Sequence, residues 1–309
     1  MLKHVIESFE LLSSPLITGD RVADVVGSRG ATDIRVTTVE EKARTQFIRF
    51  TIPGTGSTAS AKTARTLGLV GNLGGLSGNP EIRGLVSDAD GAVTALAIAL
   101  RLLDLRAAGE SLSGNVIVST HICTSAPTIP HEPVPFMGNP TFKAITKTRN
   151  YVDPAMEAIL HIETSRANRV VNARGFAITP TIKEGYILRV SNHLMDIYQN
   201  VTGQWPVIVP LGTIDLTPID NGLYHLNGMA QENLVTDAPI VGVALTSAMP
   251  IAGSTSGASQ IMDIEAAARF AMEVAKGYTA GRVDFYDASE FEKIIELYGS
   301  MKHLRKVSD

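Results

Sequence analysis

Side chains able to move protons or hold metal ions gather at four places in this chain. They are Asp88 and Asp90 in the turn SDADG, His121 and Cys123 in HICTS, His131 and Glu132 in the proline-rich stretch after it, and His161 and Glu163 in HIETS. Asp88 has the chemistry of a general base or of a ligand for a hard cation. Asp90 directly precedes an apolar helical run and suits the role of its cap. His121, Cys123, His131 and Glu132 form a donor set that a folded loop could close on a single divalent metal. An equally simple reading makes His121 a strand-end residue, Cys123 a small buried one and His131 a surface one. Cys123 as a thiol nucleophile with His121 or His131 as base rests on closeness in sequence alone.

His161 and Glu163 are two residues apart on a strand, so they face the same side while Ile162 faces the other. Glu163 is the better candidate for chemistry; His161 is as readily a core histidine. His225 in NGLYHLN stands alone and reads as structural. Gly54-Thr55-Gly56 lacks the third glycine of a dinucleotide turn. The nearest approach to a serine nucleophile elbow, Gly253 to Gly257, has threonine at its centre.

These groups are positioned by a strand, an acidic turn, a buried helix and a second strand. Leu67 to Val70 and Ile82 to Val86 are short apolar runs, and Ala92 to Leu100 is apolar on every side, as a helix buried all round must be. Val116 to Val118 follows as a strand. That order implies a parallel sheet with helical crossovers, whose chemistry collects at the carboxyl ends of its strands. Asn72, Ser87, Asp88, Asp90, His121 and Cys123 fall there.

Elsewhere, periodicity predicts helices over Leu2 to Leu12 and Asp20 to Val26, and a hairpin of Thr32 to Thr38 with Thr45 to Ile52. Five prolines between His121 and Pro140 exclude a regular helix or inner strand. Asp153-Pro154 predicts a helix start, followed by a strand from Ala158 to Glu163. A helix from about Gly185 to Val201, a strand from Trp205 to Pro210, a strand from Pro239 to Thr246 and a helix from Asp263 to Lys276 complete the order. A tail helix opens with a Ser289/Glu292 capping box.

Composition narrows the function. With 309 residues, 44% hydrophobic and 19% charged, the chain has ample material for a core. A net charge of -4 argues against nucleic acid or an anionic membrane surface as partner. One cysteine precludes an intrachain disulfide, and charges at Lys3, Glu7 and Glu10 break any signal-peptide core. The expectation is a cytoplasmic protein, residues 1–309 forming a single α/β domain with 278–309 as a helical tail.

The order of elements resembles the zinc-dependent exopeptidase fold of aminopeptidases. The signatures GLVSDADGAVTALAIAL, HICTSAP with PH and PVPFM, GFAITPT with EGYILRVS, NGLYHLN, and GAS with DIEAAARFAMEVAK resemble a prokaryotic family of unknown function over about Ile48 to Gly277. The exopeptidase resemblance implies a three-layer α/β sandwich with a mixed, mostly parallel central sheet. It also implies where two zinc ligands sets would lie. Asn72 stands at the place of the first histidine, Ser87 at that of the bridging aspartate with Asp88 beside it, and Gln260 nearest the final histidine. The Glu-Glu pair would fall near Thr124 to Ala126, where no carboxylate occurs, and Glu163 matches the later carboxylate. Asparagine, serine and glutamine are poor zinc ligands, so the usual two-zinc site is not expected, and a single divalent metal stays open.

The leading expectation is a peptidase-like protein that keeps the cleft, with Asn72, Ser87 and Gln260 lining it, and binds or processes a small peptide or amino-acid derivative. The second is a hydrolase with one metal or none, using Asp88, His121, Cys123, His131, Glu132 or Glu163. The third is a structural subunit of a homo-oligomer with Pro133 to Met137 at the interface.

Overall fold

The structure is a computed structural model. It describes all residues except 15, 41–43, 58–63, 73–84, 125–127, 130–135, 138–142, 166, 227, 252–257 and 307–309. Two helices, α1 (Leu2–Leu12) and α2 (Gly19–Gly27), precede the hairpin β1 (Thr32–Glu40) and β2 (Arg44–Ile52). Then come β3 (Leu67–Gly71), α3 (Asp90–Ala107), β4 (Val116–Ile122), and the two-residue strands β5 (Thr128–Ile129) and β6 (Phe136–Met137). Next are α4 (Ala144–Tyr151), β7 (Ala158–Thr164), β8 (Gly175–Ile178), β9 (Ile182–Lys183), β10 (Tyr186–Ile187) and α5 (Asn192–Thr202). β11 (Ile240–Thr246), α6 (Ile261–Thr279) and α7 (Ala288–Tyr298) follow. Among the described residues no helix is long and apolar enough to cross a membrane.

The main sheet runs β1-β2-β4-β3-β7-β11-β9-β10, with β8 also paired to β11. Its centre, β4-β3-β7-β11, is parallel, and the flanking pairs are antiparallel. β3, β4 and β11 are buried along their whole length, which is why their sequences read as unbroken apolar runs. Alternation still sorts their side chains. Leu67, Leu69, Val116, Val118, Leu160, Ile162, Val241 and Val243 pack under α1, α3, α5 and α6 in the large core. Val70, Ile117 and Ile159 point the other way and pack with Phe47, Tyr151, Leu216 and Ala230. That second face is covered by α4 and by 3-10 turns at Thr213–Leu216 and Gln231–Leu234. The result is the expected three-layer α/β fold with a mixed, largely parallel sheet.

α3 enters the core directly beneath the carboxyl ends of β3 and β7. A Cβ on Gly91 would lie 2.4 Å from the Ile162 carbonyl oxygen and 2.6 Å from that of Asn72, so only glycine permits this approach. Gly91→Ala is expected to cost about 3 kcal/mol through overpacking. Urea unfolding checks it, and a loss below about 0.5 kcal/mol contradicts the packing.

Local details depart from the sequence expectations. The helix expected from Gly185 starts at Asn192, because Glu184 and Gly185 both take positive φ (50° and 85°) and close a β9–β10 hairpin first. The strand expected over Trp205 to Pro210 is a single bridge, Ile178 to Ile208. Asp153-Pro154 does not start a helix. It follows α4, and the Asp153 carboxylate accepts from the Ala155 N–H in a local turn. Asp90 lies inside α3 and not at its cap, where Ala89 stands; Thr18, not Asp20, caps α2. Asp287 caps α7, and Ser289 donates to it in place of the expected capping box.

Candidate functional site

Because side chains alternate along a strand, the residues that share the second face with Val70, Ile117 and Ile159 are Asn72 just beyond β3, Ser119 and His121 on β4, and His161 and Glu163 on β7. All but Ser119 lie towards the carboxyl ends of their strands. β7 pairs β3 in parallel with His161 opposite Val70, which brings Glu163 beside Asn72. α4 crosses above them and adds Lys147 and Tyr151, four residues apart on one helix face. The 3-10 turn Gln231–Leu234 adds Glu232.

These side chains form one buried polar chain. The Tyr151 hydroxyl donates to Asn72 Oδ1 at 3.3 Å. It also contacts His121 Nδ1. A hydroxyl has one hydrogen, so His121 Nδ1 is the donor in that second contact. Asn72 Nδ2 donates to Glu163 Oε2 at 2.8 Å, and the Gly228 N–H donates to Glu163 Oε1 at 3.3 Å. His161 Nε2 shares Glu163 Oε2 at 3.2 Å, while its Nδ1 stands 2.7 Å from Glu232 Oε1. This last contact is an ion pair and not a well-aligned hydrogen bond. With a carboxylate oxygen at each ring nitrogen, both nitrogens must carry hydrogen, and the ring is an imidazolium.

The electrostatics agree. Burial by itself would lower the His161 pKa, but Glu232 and Glu163 outweigh it and raise it to about 9. Burial would raise the Glu163 carboxyl, yet His161, the Lys147 charge and the Asn72 amide hold it below the usual glutamate range. For Lys147 burial prevails, and its ammonium lies below the ordinary lysine range although Glu163, Glu232 and Asp88 pull the other way. The cluster is therefore a pair of buried carboxylates, Glu163 and Glu232, with the His161 imidazolium and the Lys147 amine, and the half-buried Asp88 adds its charge. It is equipped to relay protons and to engage a polar ligand.

The structure thus brings together Asn72, His121 and Glu163. Asp88 lies in the 3-10 turn Ser87–Ala89 and reaches the cluster through its charge on Lys147. Ser87 opens that turn. Asp90 accepts from Ser259 Oγ at 2.5 Å, which ties the start of α3 to the segment before α6. Gln260 is the exposed residue preceding α6, and its side chain makes no hydrogen bond into the cluster among the described residues. Cys123 is fully buried just after β4. His131 and Glu132, with most of the Pro133 to Met137 loop, lie outside the described residues. His225 is hydrogen-bonded to Leu223 O and to Thr217 O.

Lys147, Tyr151 and Glu232 were not singled out from sequence. The first two carried a signal, an i, i+4 pair able to face one site. Glu232 carried only its place in the polar run QEN, all of which is buried.

Among the described residues no group of three or more His, Cys, Asp and Glu is arranged to hold a metal ion. The donors present do not suit a two-zinc centre. Where the first imidazole would stand, the Asn72 amide points its N–H at the carboxylate, and the His161 nitrogens are both engaged. A groove of about 950 Å³ opens at the opposite, amino end of the parallel strands, lined among others by Arg65, Glu157, Lys183 and Tyr278. Its Arg65 is already paired with Asp284, and it holds none of the residues above. The polar cluster is therefore the candidate site.

The architecture resembles that of aminopeptidases. The Caenorhabditis elegans leucine aminopeptidase LAP1 superposes with a TM-score of 0.52 at 13% identity, over 89% of this chain and 65% of that one, so this chain spans less than two thirds of that enzyme. The bottromycin maturation enzyme BotP superposes with a TM-score of 0.50 at 14% identity, over 88% of this chain and 69% of that one. Identities this low show the fold alone. By sequence the chain belongs to the family described as protein of unknown function (DUF1177), which it matches over residues 36–308. No curated protein matches it.

Proposed function

We propose that this protein binds a small peptide or amino-acid derivative at the carboxyl ends of its parallel strands, and acts there without a two-zinc centre. The observation that supports the reading is the Asn72–Glu163 hydrogen bond. In an exopeptidase these two positions would carry zinc ligands; here a neutral amide bonds to the carboxylate, so recognition falls to hydrogen bonds and fixed charges. Glu163, Glu232 and Asp88 suit the ammonium of an amino acid or peptide, and Tyr151 and Asn72 supply hydrogen bonds for its amide groups.

The test pairs elemental analysis with calorimetric titration of the purified protein by free amino acids and dipeptides. The expected result is less than one equivalent of zinc and saturable binding by at least one compound. Two equivalents of zinc, or no binding by any of them, would overturn the proposal. Asn72→Ala is expected to weaken the binding about ten-fold, the loss of one buried hydrogen-bonding group.

A further inference from the structure

Lys147 is only 8% exposed, yet its amine makes no hydrogen bond and no ion pair among the described residues. Its Nζ lies 5.7 Å from the centroid of the Tyr151 ring. This is unusual, because a buried lysine is ordinarily paired or solvated by fixed donors and acceptors. Among the other charged groups of the cluster, Glu163 is bonded to Asn72, His161 and Gly228, and His161 forms an ion pair with Glu232. The Lys147 amine is available to engage something from outside, and it stands among carboxylates.

We propose that Lys147 is a nucleophilic amine that condenses with a small aldehyde or ketone to form an imine. The nitrogen lone pair attacks the carbonyl carbon, and the C=O π electrons move to oxygen. One proton passes from nitrogen to that oxygen, giving a carbinolamine. A solvent proton then passes to the hydroxyl, the C–O bond breaks, and water leaves. The nitrogen lone pair forms the C=N bond, and the remaining N–H proton returns to solvent, directly or through one of the cluster carboxylates. The net change is amine plus carbonyl to imine plus water, with no oxidant or reductant.

The surroundings favour each stage. Burial holds Lys147 below the ordinary lysine range, which raises the fraction of neutral amine at neutral pH. The charges that face it are Glu163 from β7, Glu232 from the 3-10 turn Gln231–Leu234 and Asp88 from the turn before α3, with the His161 imidazolium behind the two glutamates. Those three carboxylates stabilise a positive iminium as they would an ammonium. The inference goes beyond the peptide-binding reading and does not need it, since the lysine and its neighbours are the same whichever ligand the cleft takes.

Reductive trapping tests it. Full-length protein is incubated at pH 6.5 with acetaldehyde or with pyruvate, each with cyanoborohydride, and the alkylated lysines are located by peptide mass mapping. The expected result is modification at Lys147 at least about ten-fold faster than at exposed lysines with one of the two probes, because burial leaves more of its amine neutral. Unfolding the protein in urea at the same pH should erase that preference. The mapping is done on the wild-type chain, so no variant has to fold. Modification confined to exposed lysines, equal at Lys147 and elsewhere, or unchanged by urea, overturns the proposal. Saturable dipeptide binding without this labelling would leave the peptide reading standing and remove this one.

Discussion

Glu232→Gln is expected to lower the stability of the protein by about 3 kcal/mol, the scale for removing one partner of a buried ion pair. Glu232 is fully buried and faces His161 Nδ1 at 2.7 Å. The substitution keeps the volume, so no cavity term enters. It leaves the imidazolium with Glu163 as its single counter-charge, and the ring either stays charged at a cost or gives up its proton. Urea unfolding at pH 7 reads the effect, and a change below about 0.5 kcal/mol would mean that the pair is not formed. A second variant separates loss of a pair from loss of packing. Replacing His161 and Glu232 together by leucine removes both charges and should cost less than Glu232→Gln, since a well-packed apolar substitute for a buried pair is often close to neutral.

The second large effect is with pH. His161, held at about 9 against an ordinary 6.5, should be visible in imidazole NMR as a ring that keeps its proton well above pH 6.5. Its folded value exceeds its unfolded one, so its stabilisation is complete below about pH 6.5 and disappears as pH rises through 9. The difference corresponds to about 3 kcal/mol. Glu163 acts on the acid side. Its folded value is depressed, so its contribution is present above the usual 4.5 and is lost as pH falls through its folded value. Lys147 opposes His161. With its folded value lowered, the unfolded chain binds more protons over that interval and stability rises with pH. Lys147→Met removes that opposing term, and the alkaline loss between pH 6 and pH 10 should then be steeper than in the wild type. If no imidazole titrates near 9, the imidazolium between two carboxylates does not exist.

Both effects belong to residues that sequence reading reached unequally. His161 and Glu163 were placed on one face because strand alternation is a local property, and their common face in the structure follows from it. The hairpin at Glu184-Gly185 was missed because an apolar and polar run leading into α5 looks helical until two positive φ angles interrupt it. Asp153-Pro154 misled for a related reason: an aspartate before proline caps a turn as readily as a helix.

By itself the sequence determined the two opening helices and their hairpin, the strands β3, β4, β7 and β11, the all-round burial of α3, and the presence of Asn72, His121 and Glu163 at strand ends. Those features follow from hydrophobic period and run length, which depend on a few neighbouring residues. The tertiary structure decided which polar groups meet. Asn72 and Glu163 are 91 positions apart, and Glu232 comes from a turn far beyond β7. Lys147 reaches them only because α4 covers one face of the sheet. Charge pairing depends on distance in space and on exclusion of water, and neither is written in the local pattern of a chain.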